Sequence, residues 1–161
     1  MSEEQHESAI VEDGTEEYLT VYIAGQLFGL NIERVHDVFL PDSITPVPLS
    51  SPEIKGVLNL RGRIVTAIDM NRRLSLPNEN AESHGMAVGI EHKGESYGLI
   101  IDNVGEVLRL NANQIESNPS NLDARWRSIS SGVCRLKDKL MLVLDVERTL
   151  DFGQDTTAAA A

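Results

Sequence analysis

The chain repeats itself, and the repeat limits what it can fold into. Residues Val21 to Phe39 read VYIAGQLFGLNIERVHDVF, and Ile90 to Leu108 read IEHKGESYGLIIDNVGEVL. Gly25 falls over Gly94, Phe28-Gly29-Leu30 over Tyr97-Gly98-Leu99, and Val35 over Val104, a shift of 69 residues. A second block, GVLNLRGRIVTAIDMNRRL from Gly56 to Leu74, recurs as GVCRLKDKLMLVLDVERTL from Gly132 to Leu150 with a shift of 76 residues. Arg61 then falls on Lys137, Ile64 on Leu140 and Asp69 on Asp145. Two blocks recurring in one order describe one domain of two related halves rather than a solenoid of many units. At 161 residues, each half alone would bury only a small core, so the halves need each other.

Charge says less about partners than its total suggests. The net charge is −11, but residues 1–17 hold seven acids and no Lys or Arg, while residues 18–150 hold sixteen acids against fourteen bases. The body is close to balanced, and residues 1–16 read as an acidic, disordered tail without apolar surface to bury. Neither a basic stripe nor, with 4% aromatics, a stacking platform is present, which argues against nucleic acid as a partner. Cys134 is the only cysteine, so no intramolecular disulfide forms, and it reads as a small buried hydrophobe. No signal-peptide pattern or apolar run of about 18 residues occurs, so a cytoplasmic protein is expected.

Alternating apolar residues mark short strands: Leu19, Val21, Ile23; Phe28, Leu30, Ile32; Ile64, Thr66, Ile68; Leu140, Leu142, Leu144. Gly25, Gly62 and Gly94 each follow one residue at a chain reversal and predict hairpin tips. Helical periods are limited to Met70–Leu74, Val146–Leu150 and Leu122–Ser130. The expectation is an all-β protein of two packed, small closed barrels, which leave no open sheet edge. Their approximate boundaries are 17–76 and 85–152 within one domain spanning 17–152, followed by a disordered tail at 153–161. The three prolines between Thr45 and Pro52 predict a stiff extended connection, and the polar stretch Leu76 to His84 a linker between repeats.

Candidate catalytic groups reduce to structural ones. Asp69 and Asp145 are repeat-equivalent and could form a carboxylate dyad of a small barrel hydrolase, but each precedes a short helical period and is explained more simply as its N-cap. His6, His36, His84 and His92 are scattered without metal-ligand spacing, and no nucleophile elbow or phosphate loop occurs. Neither cofactor nor metal is expected, and the protein reads as not an enzyme.

The run IKGVLNLRGRIVTAIDM from Ile54 to Met70, with Val35 and Val38 upstream, the Pro-x-Pro connection, and GLIIDNVGEVL from Gly98 to Leu108, resembles the CheW family of chemotaxis coupling proteins. The family pattern I-x-G-V-x-N-L-R-G-x-I-V-P-x-x-D-L is matched except for Thr66 at its Pro and Met70 at its final Leu. The resemblance covers about Glu17 to Leu150. It implies two SH3-like five-stranded barrels and a non-catalytic adaptor that links methyl-accepting chemoreceptors to the histidine autokinase CheA in signalling arrays. The implied receptor-binding groove comprises Val35, Asp37, Arg61, Gly62, Gly98, Val104 and Val107. The implied kinase contact uses hydrophobic barrel ends near Lys55 and Gly56.

Residue chemistry accommodates this. Val35 and Val104, and Val38 and Val107, are repeat-equivalent, so both barrels could offer apolar side chains to one helix. Against this, valines of small barrels commonly belong to the core. Asp37 and Arg61 are expected to pair, either orienting Arg61 for the receptor or forming only a surface pair worth at most ~1 kcal/mol. Gly62 and Gly98 serve either contact or backbone geometry. A scaffold of another chemosensory pathway, such as surface motility, fits the same residues. A fusion with a receiver domain is not expected, because the chain ends soon after Leu150.

Overall fold

The computed structural model describes residues 14–74 and 85–151. Eleven strands are present: β1 (Thr15–Ile23), β2 (Gln26–Asn31), β3 (Val35–Phe39), β4 (Ile54–Leu60), β5 (Arg63–Asp69), β6 (Met86–His92), β7 (Glu95–Ile101), β8 (Asn103–Asn111), β9 (Ile115–Glu116), β10 (Ser130–Arg135) and β11 (Leu140–Leu144). Single helical turns α1 (Met70–Arg73), α2 (Ala124–Arg127) and α3 (Val146–Thr149) fall where the short helical periods were read.

The strands form two sheets, ordered β8-β1-β2-β11-β10-β9 and β3-β6-β7-β5-β4. The duplication shifts carry one order onto the other: β1, β2, β8, β10 and β11 correspond to β6, β7, β3, β4 and β5. The correspondence extends to register. Leu142 lies opposite Phe28 in the parallel β2–β11 seam, and Thr66 opposite Tyr97 in the parallel β5–β7 seam. Bulges recur at Leu19/Val21 and Val35/Asp37, and at Ile54/Gly56 and Ser130/Gly132. Each sheet is closed by its own chain into an SH3-like barrel. β8 leads through a 3-10 turn to β9 on the opposite edge, and the segment after β3 reaches a bridge between Thr45 and Val57 of β4.

The halves 17–76 and 85–152 are therefore not the two barrels. β1 and β2 pair with β8 and β11 in what is here the β1 barrel, while β3, β4 and β5 join β6 and β7 in the β6 barrel. Hydrophobic alternation is a local property and says nothing about which strand lies alongside, so the sequence boundary could not reveal this exchange. The first barrel also has six strands rather than five, the sixth being the two-residue β9. The acidic tail ends earlier than residue 16. Thr15 and Glu16 pair with Asn111 and Leu110 in β1, and Glu17 meets Arg109 at 3.4 Å. The 153–161 tail, the whole Leu76–His84 linker and the arm before residue 14 lie outside the described residues.

Among the described residues, the largest core lies between the barrels. Its seventeen buried side chains include Val21, Phe28 and Leu30 from one sheet and Ile68, Val88 and Leu99 from the other, against five in each barrel's own interior. The small interiors correspond through the repeat: Cys134, Met141 and Val143 in the β1 barrel match Leu58, Val65 and Ala67 in the β6 barrel. Cys134 is buried, as its apolar surroundings predicted. Central strands thus bury both faces, and all of Met141–Leu144 is inside. On β5 the inward residues are Val65, Ala67 and Ile68, so Ile64, read from sequence as a buried-face residue, is 61% exposed. Trp126 of α2 packs on Phe28 with ring centroids 5.4 Å apart, extending the shared core.

α1 and α3 close one part of the seam. Met70, Leu74 and Val146 enter the shared core. Arg73 donates from Nε to the Thr149 carbonyl (2.7 Å) and from a terminal nitrogen to the Arg148 carbonyl (2.9 Å). Arg73 and Thr149 are themselves repeat-equivalent, so this clasp joins matching positions of the two halves. A guanidinium at the C-terminal carbonyls of a helical turn is electrostatically favourable.

Candidate docking site

Hairpin β4–β5 positions the most exposed of the expected residues. Arg61 and Gly62 adopt φ 53° and 82°, as do Ala24-Gly25 (52°, 84°) and Lys93-Gly94 (52°, 81°) at the other two tips. Positive φ at both central residues is the type I′ turn that matches strand twist. Gly62 N–H donates to Asn59 Oδ1 at 2.9 Å, and space beside its α-carbon is open, so glycine is needed there for backbone conformation rather than for close approach. The left-handed conformation of Arg61 disfavours a side-chain-bearing residue by about 1–2 kcal/mol.

Arg61 reaches Asp37 of β3. Its terminal nitrogen donates to Asp37 Oδ2 at 3.3 Å, with the arginine side chain 76% exposed and the aspartate 19%. The expected pair forms. Asp37 Oδ1 is buried and has no hydrogen-bond partner. Asp37 and Phe39, two residues apart, share the inward side of β3 by strand alternation, and the bulge between Val35 and Asp37 breaks their register with Val35. Phe39 belongs to the interior of the β6 barrel, so the carboxylate sits at the mouth of that barrel with Arg61 above it.

The valines separate into two kinds. Val35 and Val104 are half-buried and pack on the shared core, as the first residue of β3 and the second of β8, strands that each follow a crossing of the chain from one barrel to the other. Val38 and Val107 point outward at 38% and 47% exposure. Gly98, expected in the groove, is instead buried in β7. A β-carbon there would lie 3.3 Å from both Phe39 and Val65, so its smallness serves barrel packing and it offers no surface. The reason is local: β7 is a central strand, covered by the barrel interior where Gly98 faces inward.

Lys55 is half-buried and Gly56 buried. Gly56 has φ 154°, and a β-carbon would strike the Thr45 carbonyl of the bridging segment. That geometry makes Gly56 a closure residue of the barrel. The proline-rich connection that it anchors gave no sign in the sequence of an apolar surface, yet the segment displays Leu40 (72% exposed), Val47 and Leu49; Leu49 is fully exposed at φ 62°. A fully exposed leucine in a left-handed backbone departs from two ordinary preferences at once, and only the structure exposes both.

Asp69 and Asp145 are caps. Asp69 Oδ1 accepts from the backbone N–H groups of Asn71 (3.1 Å) and Arg72 (3.3 Å), and Asp145 Oδ1 from Arg148 N–H at 3.1 Å. They engage separate helical turns, α1 and α3. A surface depression of about 330 Å³ beside Asn31, Arg34 and Asp145 contains none of the expected receptor-site residues. No group of three or more His, Cys, Asp or Glu among the described residues could hold a metal ion, and no described helix is long and apolar enough to cross a membrane.

The structure is thus a double SH3-like barrel with Arg61 on one hairpin tip and Val35 and Val104 packed on the core between the barrels. Comparison with known proteins identifies its kind. Residues 17–153 match the CheW-like domain, and the chain belongs to that family. It is 27% identical over 135 residues to the chemotaxis protein CheW of Thermotoga maritima, covering 84% of this chain and 87% of that one. It is 24% identical over 143 residues to CheW of Bacillus subtilis, covering 89% and 92%. The crystal structure of the scaffolding protein TtCheW from Thermoanaerobacter tengcongensis superposes with a TM-score of 0.72 at 30% identity, covering 81% of this chain and 88% of that one. The protein is a chemotaxis scaffold of the adaptor type.

Proposed function

We propose that this adaptor couples methyl-accepting chemoreceptors to the histidine autokinase CheA, working in the cytoplasm at receptor arrays and without catalysis. The observation that carries the reading is the Arg61 guanidinium, fixed on a type I′ tip and held at 3.3 Å by Asp37 beside the seam of Val35 and Val104. Such a guanidinium suits a carboxylate or the exposed carbonyls of a helical hairpin. Val35 and Val104, with Val38 and Val107 outside them, suit the apolar stripe of the same helix. Gly62 contributes through the turn it permits.

The proposed kinase surface is the apolar segment of Leu40, Val47 and Leu49 at the end of the β6 barrel, with Lys55 beside it and Gly56 fixing its path. A set of large exposed apolar residues on a small domain supports a protein contact there. An adaptor has only binding free energy to act with, so it biases the kinase by differential affinity for its signalling states. Affinities on the order of micromolar, about 8 kcal/mol, suffice when array tethering supplies avidity.

The test is calorimetric titration with the regulatory domain of a CheA from the same genome and, separately, with a cytoplasmic hairpin fragment of a receptor. Saturable binding of both, with Leu49→Ser weakening only the first and Arg61→Ala only the second, is the expected result. Absence of binding to either folded partner overturns the coupling role.

A further inference from the structure

Asp37 and Glu106 are equivalent in the duplication, as are Gly89 and Thr20, yet the two acids lie differently. In the β1 barrel, the Thr20 hydroxyl donates to the Glu106 carbonyl at 2.6 Å, Thr20 is buried, and Glu106 is exposed. In the β6 barrel, the buried position matching Thr20 is Gly89, and Asp37 lies directly against it. The three atoms nearest a β-carbon built on Gly89 all belong to Asp37, and its Oδ1 would collide with that carbon. Gly89 does not have the positive φ that would require glycine; it pairs with Asp37 on one side, next to the bulge at Val35/Asp37, and with Gly98 on the other. Glycine weakens a strand interior, so its presence here calls for a use of the vacant space. The Asp37 carboxylate is the group that uses it.

We infer that Gly89 is a positioning residue: its missing side chain admits the Asp37 carboxylate to the barrel mouth, and that carboxylate anchors Arg61 for the partner. The inference rests on the docking role of Arg61 given above. It also accounts for the buried, unpartnered Asp37 Oδ1, a destabilising feature retained where it serves a surface. Alanine at position 89 would expel the carboxylate toward solvent, remove the unsatisfied oxygen and improve the strand. Stability and docking should then move in opposite directions, an outcome a packing glycine does not produce.

The experiment compares the full chain with Gly89→Ala, Asp37→Ala and the double variant. Nitrogen relaxation at Arg61 Nε–Hε reports the order of the guanidinium with no partner present, and titration with the receptor hairpin fragment reports docking. Arg61 should be ordered in the wild type and mobile in all three variants. Fragment affinity should fall about fivefold in each single variant and no further in the double. The melting temperature of Gly89→Ala should equal or exceed that of the wild type. An ordered Arg61 in Gly89→Ala, or equal affinity losses from Gly89→Ala with and without Asp37, overturns the inference. So does a Gly89→Ala chain that melts well below the wild type or fails to fold, which would make Gly89 a packing residue. If the wild type orders Arg61 but does not bind the fragment, the docking reading fails and the Arg61 signal alone decides the role of Gly89.

Discussion

The β1 and β6 barrels share one plan of strands, seams and bulges, and they differ where the plan meets solvent. At the mouth of the β6 barrel a glycine-containing turn places Arg61 over Asp37. The matching turn of the β1 barrel carries Lys137-Asp138, and its neighbour Arg135 instead meets Glu116 at 3.4 Å on an exposed surface. Conversely, the connection between the repeat blocks is seven residues longer in the second half, and it includes the β9–β10 segment whose Trp126 packs on Phe28 of the shared core. The symmetric part of the molecule is what the core needs. The asymmetric part gives one barrel an extra short strand and an aromatic seal, and the other the Arg61–Asp37 ion pair and an exposed apolar segment.

The comparison breaks most completely if the halves are separated. Residues 14–74 expressed alone should lack native β structure, because β1 and β2 lose both β8 and β11, and β3 loses β6. Adding residues 85–151 should restore it, as followed by circular dichroism. A fragment folded by itself would show that the interleaved sheets are not required. Next in size, Phe28→Ala should destabilise by about 3–5 kcal/mol and its equivalent Tyr97→Ala by about 2 kcal/mol in urea unfolding. Phe28 is completely buried, whereas Tyr97 is half-exposed. Equal losses would mean the two parallel seams are energetically alike.

Gly56→Ala should cost about 3 kcal/mol, more than Gly132→Ala at the equivalent bulge. Both would meet backbone, but of these two glycines Gly56 alone also has a positive φ. Arg73→Ala removes both hydrogen bonds of the clasp and should cost about 1–3 kcal/mol. Fluorescence of Trp126, the only tryptophan, would report any loosening of the shared core. The smallest effect concerns Cys134. Burial first, then the Glu116 charge, raises its thiol pKa above the ordinary 9.0. The folded state therefore holds the proton more tightly than the unfolded one. Its contribution is fully present below about pH 9 and is lost as pH rises toward the folded pKa. A thiol reagent at pH 8 should label Cys134 only as fast as the chain opens.

Much of the site was legible residue by residue. The hairpin tips were readable because a glycine following one residue between alternating runs is a strong local signal, and all three adopt the same turn. The caps Asp69 and Asp145 were readable because a carboxylate before a helical period has a near-neighbour partner. The Asp37–Arg61 pair was reachable through complementary charge. Gly98 misled because an unexplained glycine does not declare whether its bareness faces solvent or a neighbour. Gly89 went unnoticed because its partner sits 52 positions away, on the other half. Leu49 did not stand out because a leucine in a proline-rich connection gives no sign of its exposure.

By itself the sequence determined the duplication, the all-β class, the strands and tips, and the resemblance to the CheW family, since these depend on neighbours along the chain and on local patterns, the repeat among them at shifts of 69 and 76 residues. Tertiary structure alone decided that the barrels exchange strands between the halves, that most of the described core lies between them, and that Gly89 faces the Asp37 carboxylate while Gly98 faces Phe39 and Val65. Burying the largest continuous apolar surface requires pairing strands from distant segments, and that choice is made by packing in space, which local periodicity does not encode.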